Sequence, residues 1–323
     1  MKNEDHSDYH VPVLLEESVA ALRVKENGVY VDCTFGGGGH SRAILKRLGA
    51  NGKLLAFDQD ADARRNLPDD DRIIFVPHNF RHLQRFLKLH KIPAVDGILA
   101  DLGVSSHQFD EGDRGFSTRY DQSDLDMRMD RRQDTTAQTI LSTYPEQKLH
   151  KLFEQYGEVT NAKTLARTIT EARKISPFRT VSDFKNAVHS IIKGNPNKYF
   201  AQVFQALRIE VNDEMGALKE MLQQVPAVLN DEGRIAVITF HSIEDRIVKI
   251  FFKNGSFEEE DEYDLYGKEK RPPLKAVTKK PVLPGNDEIK RNPRSRSAKL
   301  RVAERRGERG EGRSERGEGR GER

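Results

Sequence analysis

Val29-Tyr30-Val31-Asp32-Cys33-Thr34-Phe35-Gly36-Gly37-Gly38-Gly39-His40-Ser41 reads as a strand, a glycine turn and the start of a helix. The apolar run Val29 to Phe35, interrupted by Asp32, suits a parallel strand covered on both faces. Four glycines let the backbone enter conformations closed to residues with a Cβ and let a ligand approach the main chain. His40 and Ser41 open a helix with Ile44, Leu45 and Leu48 on one face, so free N–H groups lie beside the glycines. A ligand-free flexible loop is the plain alternative, but linkers rarely join a buried strand to an apolar-faced helix. A dinucleotide site is the next rival, because Gly36, Gly38 and Ser41 nearly satisfy the G-x-G-x-x-G/A spacing. A Walker-type phosphate loop is excluded, since no Lys-Ser or Lys-Thr follows the glycines.

Outward from this motif, strands and helices alternate. Lys53 to Asp58 reads as a second buried strand ending in a carboxylate, close to the ~20-residue spacing at which nucleotide-binding α/β folds place an acid on ribose hydroxyls. An ordinary turn aspartate, with Asp60 as the N-cap of the next helical turn, is the simpler reading. Ile73 to Val76 is a third strand leading to Phe80, a core residue or a wall for an aromatic base. Val95 to Leu99 is a fourth, delivering Asp101 to the carboxyl end of the sheet, where open α/β sheets bind ligands. Upstream, Val11 to Leu22 is expected to be helical.

From Asp110 to Asn212 the pattern changes to helical spacing, broken by Pro145, Gly157, Pro177 and Gly194-Asn195-Pro196, which predicts an inserted all-helical domain. Its charged leading segment, Asp113 to Asp130, is either a solvated loop or one folded over the rim that carries Asp101. Gly233 to Phe240 resumes the sheet. His241 at its end is a helix cap or, less simply, a base. Alternating Ala298, Leu300 and Val302 predict a closing strand paired antiparallel at the sheet edge. The fold class is therefore α/β, with residues 1–109 and 213–306 forming one domain around an insertion at 110–212. Residues 307–323 hold only Gly, Glu, Arg and Ser and are expected to be a disordered tail.

With 323 residues, 36% of them apolar, the chain can bury a core, and no run approaches the ~20 apolar residues of a membrane span. No signal-peptide pattern precedes Tyr9, so a cytoplasmic location without membrane attachment is expected. Cys33 is the only cysteine, which excludes an internal disulfide and a cysteine zinc site. A net charge of +3 decides little about partners, but Lys268, Lys270, Arg271, Lys275, Lys279, Lys280, Lys290, Arg291, Arg294, Arg296, Lys299 and Arg301 make the C-terminal third the expected phosphate-facing region, against a plain solvated surface.

H-V-P-V-L-L-E-E, D-C-T-F-G-G-G-G-H-S, D-L-G-V-S-S, R-G-F-S, L-D-M-R-M-D, F-Q-A-L-R-I-E-V-N, F-H-S-I-E-D-R-I-V-K and N-P-R-S-R-S-A-K-L-R, in this order from His10 to about Glu304, resemble the bacterial 16S rRNA cytosine-N4 methyltransferase family, the MraW-like enzymes. The resemblance implies a Rossmann-like methyltransferase sheet, S-adenosylmethionine as cofactor, and a cytidine in the decoding region of 16S rRNA in the small ribosomal subunit as substrate. It carries cofactor contacts onto Gly38, Gly39, His40, Asp58, Phe80, Asp101 and Gln108, of which Gln108 has no local signal of its own. The family commonly has glycine where Cys33 stands, and the Gly-Glu-Arg tail is not a family feature. DNA cytosine-N4 enzymes usually carry a Ser-, Asn- or Asp-Pro-Pro-aromatic motif where this chain reads Asp101-Leu102-Gly103-Val104, so DNA is not expected as a substrate. The implied chemistry is direct methyl transfer without a metal or a covalent intermediate. In it Asp101 either accepts an amine proton as the catalytic residue or only binds cofactor. Ring-carbon methylation would need a cysteine nucleophile, and Cys33 lies inside the first strand.

Overall fold

The computed structural model describes residues 12–258 and 271–307. The expected tail after Gly307, most of the acidic run beginning at Glu258, and Lys268 and Lys270 lie outside the described residues.

Seven strands form one sheet in the order β3-β2-β1-β4-β5-β7-β6. β1 (Val29–Asp32), β2 (Lys53–Phe57), β3 (Ile73–Val76), β4 (Val95–Asp101) and β5 (Leu229–Thr239) run parallel, and β7 (Lys299–Arg305) pairs antiparallel with β5. The closing strand is antiparallel as expected, but it is not at the edge. β6 (Leu274–Ala276), three residues long, pairs with its outer side.

Alternate residues of each strand feed two cores. Val31, Cys33, Leu55, Phe57, Ile98, Ala100, Ile235, Val237 and Ala303 pack on one face with α3 (Leu83–Leu89), α10 (Glu214–Val228) and α11 (Ser242–Asn254). Tyr30, Leu54, Leu99, Ala236, Ile238, Leu300 and Val302 pack on the other with α1 (Leu15–Ala21) and α2 (Gly39–Leu45). Coverage on both faces explains why these strands read as nearly continuous apolar runs. α1 is shorter than the expected helix, because Leu14 takes a left-handed conformation at its N-cap and Val13 lies in a turn before it.

Between β4 and β5 the described chain forms helices: α4 (Ser106–Asp110), α5 (Ala137–Thr143), α6 (Glu146–Gln155), α7 (Ala162–Ala172), α8 (Val181–Val188) and α9 (Pro196–Asn212). Their buried side chains, among them Leu141, Phe153, Leu165, Ile169, Phe184, Val203 and Leu207, form a cluster with one another that also takes in Phe116, Leu125, Met127 and Met129. α12 (Asn286–Arg291) precedes β7.

The sheet reverses its winding between β1 and β4: β2 and β3 lie to one side, and β5 to the other. At such a switch point the loops after the two strands part and leave a crevice. Here those loops are the glycine turn and the segment from Asp101 onward.

Candidate functional site

Asp32 closes the glycine turn from beneath. Fully buried at the end of β1, it accepts the Thr34 N–H at 3.0 Å and the Ser41 hydroxyl at 2.7 Å, so one side chain ties strand end to helix start. Two of the four glycines need left-handed backbone, Gly36 at φ 50° and Gly38 at φ 74°. Gly39 is required for space, since a Cβ there would fall 2.1 Å from Pro12 Cγ.

His40 is buried, with Nε2 3.2 Å from the Val13 carbonyl and Nδ1 3.7 Å from Asp101 Oδ2. Burial lowers its pKa, with Asp32 and the Val13 carbonyl opposing, so the ring is neutral near pH 7. An Nε2–H donated to Val13 leaves Nδ1 as the atom facing Asp101.

Asp58 follows β2 and faces the same turn. Its Oδ2 accepts the Gly36 N–H at 2.7 Å and its Oδ1 the Asp60 N–H at 2.8 Å. Each oxygen keeps capacity for another hydrogen bond, which suits a pair of vicinal hydroxyls. Burial raises its pKa to about 7, helped by Asp60 and Asp32 and opposed by the two backbone donors.

Asp101 ends β4, its N–H donating to Thr34 Oγ1 at 2.7 Å. Its side chain is 23% exposed, yet Oδ1 is shut off from solvent without a hydrogen-bond partner. Burial, then Asp32, Glu244 and Glu288, push its pKa well above the usual carboxylate range. An orphaned buried carboxyl oxygen beside a glycine turn is a position built for a ligand donor or cation. The site therefore fits S-adenosylmethionine, whose ribose diol and positive charge match Asp58 and Asp101 respectively.

Of the other expected residues, Gln108 is tied to the loop after Asp58 and Phe80 packs at the edge of the core beneath α3 and α10. Gln108 is buried, donating from Nε2 to Asp60 Oδ2 at 2.7 Å and accepting the Ser105 N–H at 3.1 Å. Phe80 is half-buried at the start of a turn capped by Asn79. Asn79 donates to Gln59 Oε1 at 2.8 Å, and Gln59 donates to Met129 Sδ at 3.2 Å.

Asp60 does more than cap. Its carboxylate also takes the Arg114 guanidinium, and the two side chains are 8% and 2% exposed. Arg114 in turn donates to the Arg128 carbonyl at 2.8 Å. The charged segment after Asp110 thus lies against the rim through Arg114, Met129 and Arg132, whose guanidinium donates to the Pro77 carbonyl at 3.0 Å. Local sequence could not show this, because Asp60 and Arg114 are 54 residues apart.

One expectation changes at the other end of the sheet. Arg301 does not face solvent as a phosphate contact: it is buried and paired with Asp245 at 2.6 Å, while Lys299, still partly exposed, shares the same carboxylate at 3.2 Å. Arg294 bonds to Asp110 at 3.0 Å, while Arg271, Lys275, Lys279, Lys280, Lys290, Arg291 and Arg296 are exposed. His241 is the N-cap of α11, in a capping box with Glu244. Glu214, His241 and Glu244 bring possible ligand atoms within 4.8 Å of one another, but Arg208 already grips both Glu214 oxygens at 2.7 and 2.9 Å. The half-buried Arg208 guanidinium supplies the positive charge there and joins α9 to α10. Cys33 packs in the core, and burial pushes its thiol pKa well up, as suits a structural residue.

Comparison with known proteins places this geometry. Residues 7–306 match the model of the MraW methylase family. Ribosomal RNA small subunit methyltransferase H of Flavobacterium johnsoniae is 52% identical over 299 residues, covering 92% of this chain and 98% of the relative. The protein of the same name from Parabacteroides distasonis is 52% identical over 304 residues, covering 94% and 99%. That from Bacteroides thetaiotaomicron is 51% identical, with the same coverage. A glycine turn and two rim carboxylates at the switch point of a parallel sheet, with a family match over nearly the whole chain, lead to one conclusion: the chain belongs to the MraW methylase family, enzymes whose methyl donor is S-adenosylmethionine.

Proposed function

We propose that the protein methylates the exocyclic N4 of a cytidine in the decoding region of 16S rRNA, within the small ribosomal subunit. The observation that carries the chemical part is the orphaned Asp101 Oδ1 at the switch point, across from the glycine turn. The relatives' name, small subunit rRNA methyltransferase, supports the choice of RNA.

In this reading Gly38, Gly39 and His40 line the amino-acid end of the cofactor, Asp58 accepts its ribose hydroxyls, and Phe80 flanks its base. Gln108 holds Asp60, and through it the Asp58 loop, in place. S-adenosylmethionine supplies a methyl group on a positively charged sulfur that is its own leaving group. The protein must then align the amine and take up its proton. Burial, then Asp32, Glu244 and Glu288, hold the Asp101 carboxyl toward its protonated form, and a cation in the same space shifts it back toward the carboxylate that accepts that proton. Thr34 fixes the Asp101 backbone, and His40 confines one side of its carboxyl. The target base must be unpaired or flipped for its amine to reach this rim. We further propose that residues 110–212 are a separate helical domain whose first loop closes the rim.

Tritiated methyl transfer to 16S rRNA, DNA and small subunits lacking the modification, run in parallel, tests the reading. Label on rRNA or subunits is expected; label on DNA alone would overturn it.

A further inference from the structure

One surface beside the site is charged in a way the methyl-transfer chemistry does not use. Between the end of β3 and helix α3 lies a cleft of about 510 Å³ lined by His78, His82, Arg85, Phe86, Lys88 and Leu89. No acidic residue lines it. Arg85 and Lys88 are exposed and make no ion pair among the described residues, whereas neighbouring Arg81 is clamped by Asp213 and Glu220 at 2.6 and 2.7 Å.

The cations crowd one another. His78 is held toward its neutral form by burial first, then by Arg132, His82 and Arg85, with only Asp130 opposing. Asp130 is itself occupied by Arg132 at 2.8 Å. An anion in the cleft would relieve that repulsion. The wall between the charges is aromatic and apolar: the His78 ring stacks on Phe86 at 4.8 Å, and Leu89 is 68% exposed. Cations beside ring faces are what a single-stranded nucleic acid uses, phosphates on the former and bases on the latter.

The cleft is also well placed. β3 is the edge strand on this side of the sheet, so the approach is not blocked by a further strand. From Val76 the chain passes through His78 and Asn79 directly to Phe80 at the rim. A strand of RNA lying in the cleft would arrive at the site from its β3 side.

We propose that this cleft binds the backbone of a single-stranded RNA segment flanking the methylated nucleotide. The inference rests on the rRNA reading above and adds where the RNA is gripped. Arg85→Glu/Lys88→Glu tests it, compared with unvaried protein and with Lys163→Glu/Arg167→Glu, two exposed cations on α7, which should leave RNA affinity and KM unchanged. Glutamate is a good helix former, so α3 should persist. Four quantities are read: S-adenosylmethionine affinity, binding of a fluorescent single-stranded RNA across a salt series, and both kcat and KM on unmodified small subunits. The α3 variant should bind RNA at least about tenfold more weakly, with the log–log salt slope smaller by about 1.4 for two lost phosphate contacts. KM should rise in parallel, while kcat and cofactor affinity hold. Unchanged RNA affinity and KM in an enzyme that does methylate RNA would overturn the cleft and leave the functional reading standing. A raised KM on subunits without any loss of RNA affinity would assign the cleft to a ribosomal protein instead, and also overturns it. If the unvaried protein transfers no methyl to RNA at all, the functional reading fails first and the cleft with it.

Discussion

Asp58 carries a pH dependence that can be worked out in sign. Its carboxyl titrates at about 7 because it is buried beside Asp60 and Asp32. With Asp58 on the ribose as proposed, the ionised form is the better acceptor of its two hydroxyls, so S-adenosylmethionine binding is expected to release protons below that pH. Affinity should therefore fall as pH drops through 7, by up to about tenfold per unit, and level off above it. Asp101, raised for the same physical reason, acts in the same direction. Calorimetry between pH 6 and 8 in buffers of different ionisation enthalpy measures both affinity and proton release. Asp58→Ala should lose ~1–3 kcal/mol of affinity at pH 8 and much of the pH dependence; a flat profile in the unvaried protein would contradict the assignment. For the apoprotein the linkage has the opposite appearance. A carboxyl raised by folding stabilises the folded state fully below its unfolded pKa, and that contribution disappears as pH rises through about 7. Asp101 and Cys33 separate the mechanisms. Asp101→Asn should retain the fold and slow single-turnover methyl transfer by about 10²-fold or more, while Cys33→Ala should leave turnover intact. Full turnover in the former, or none in a folded, cofactor-binding form of the latter, would reverse the respective role.

At the scale of elements, Asn212 at the end of α9 shows how two distant motifs form one device. Its Oδ1 accepts the Met129 N–H at 2.7 Å and its Nδ2 donates to the Met127 carbonyl at 2.8 Å, pinning the Leu125-to-Asp130 segment, in which Met127 has φ 59°. Met129 then meets Gln59, which lies between Asp58 and Asp60. Asn212→Ala leaves a buried N–H and a buried carbonyl unpaired and should cost about 1–3 kcal/mol of stability, with weaker cofactor binding; denaturant titration and calorimetry read the two effects. Unchanged values would mean that the segment holds its place without α9. Neither half of this pairing was visible from spacing, since partners more than eighty residues apart leave no periodic trace. The strands were visible, because sheet residues covered on both faces must be apolar at almost every position. β6 was not: three residues, two of them exposed, are too few to carry alternation, and its absence is what put β7 at the edge. The basic C-terminal stretch misled for a related reason. Counting Arg301 as free surface charge ignores Asp245, which lies on another element, pairs with both Lys299 and Arg301 and offsets one of their two charges. Asp58, Asp101 and the glycine turn could be placed together from sequence alone because strand order was not needed; each follows or ends one of the parallel strands of the sheet.

In the whole molecule, the reversal between β1 and β4 is the feature that makes a site. It sets the glycine turn, Asp58 and Asp101 on one rim, and helices on both faces keep that rim fixed. The helical segment between β4 and β5 adds Arg114, Met129 and Gln108, which bind the rim from outside the sheet. In the proposed reading the arrangement aligns a donor and an acceptor and contributes a proton acceptor rather than a nucleophile. That distinction has a direct chemical readout in the product. Small subunits lacking the modification are incubated with tritiated S-adenosylmethionine, the rRNA is digested to nucleosides, and the label is located by chromatography against standards. N4-methylcytidine as the labelled product is the expected result; label in 5-methylcytidine, or in any nucleoside other than cytidine, would contradict it.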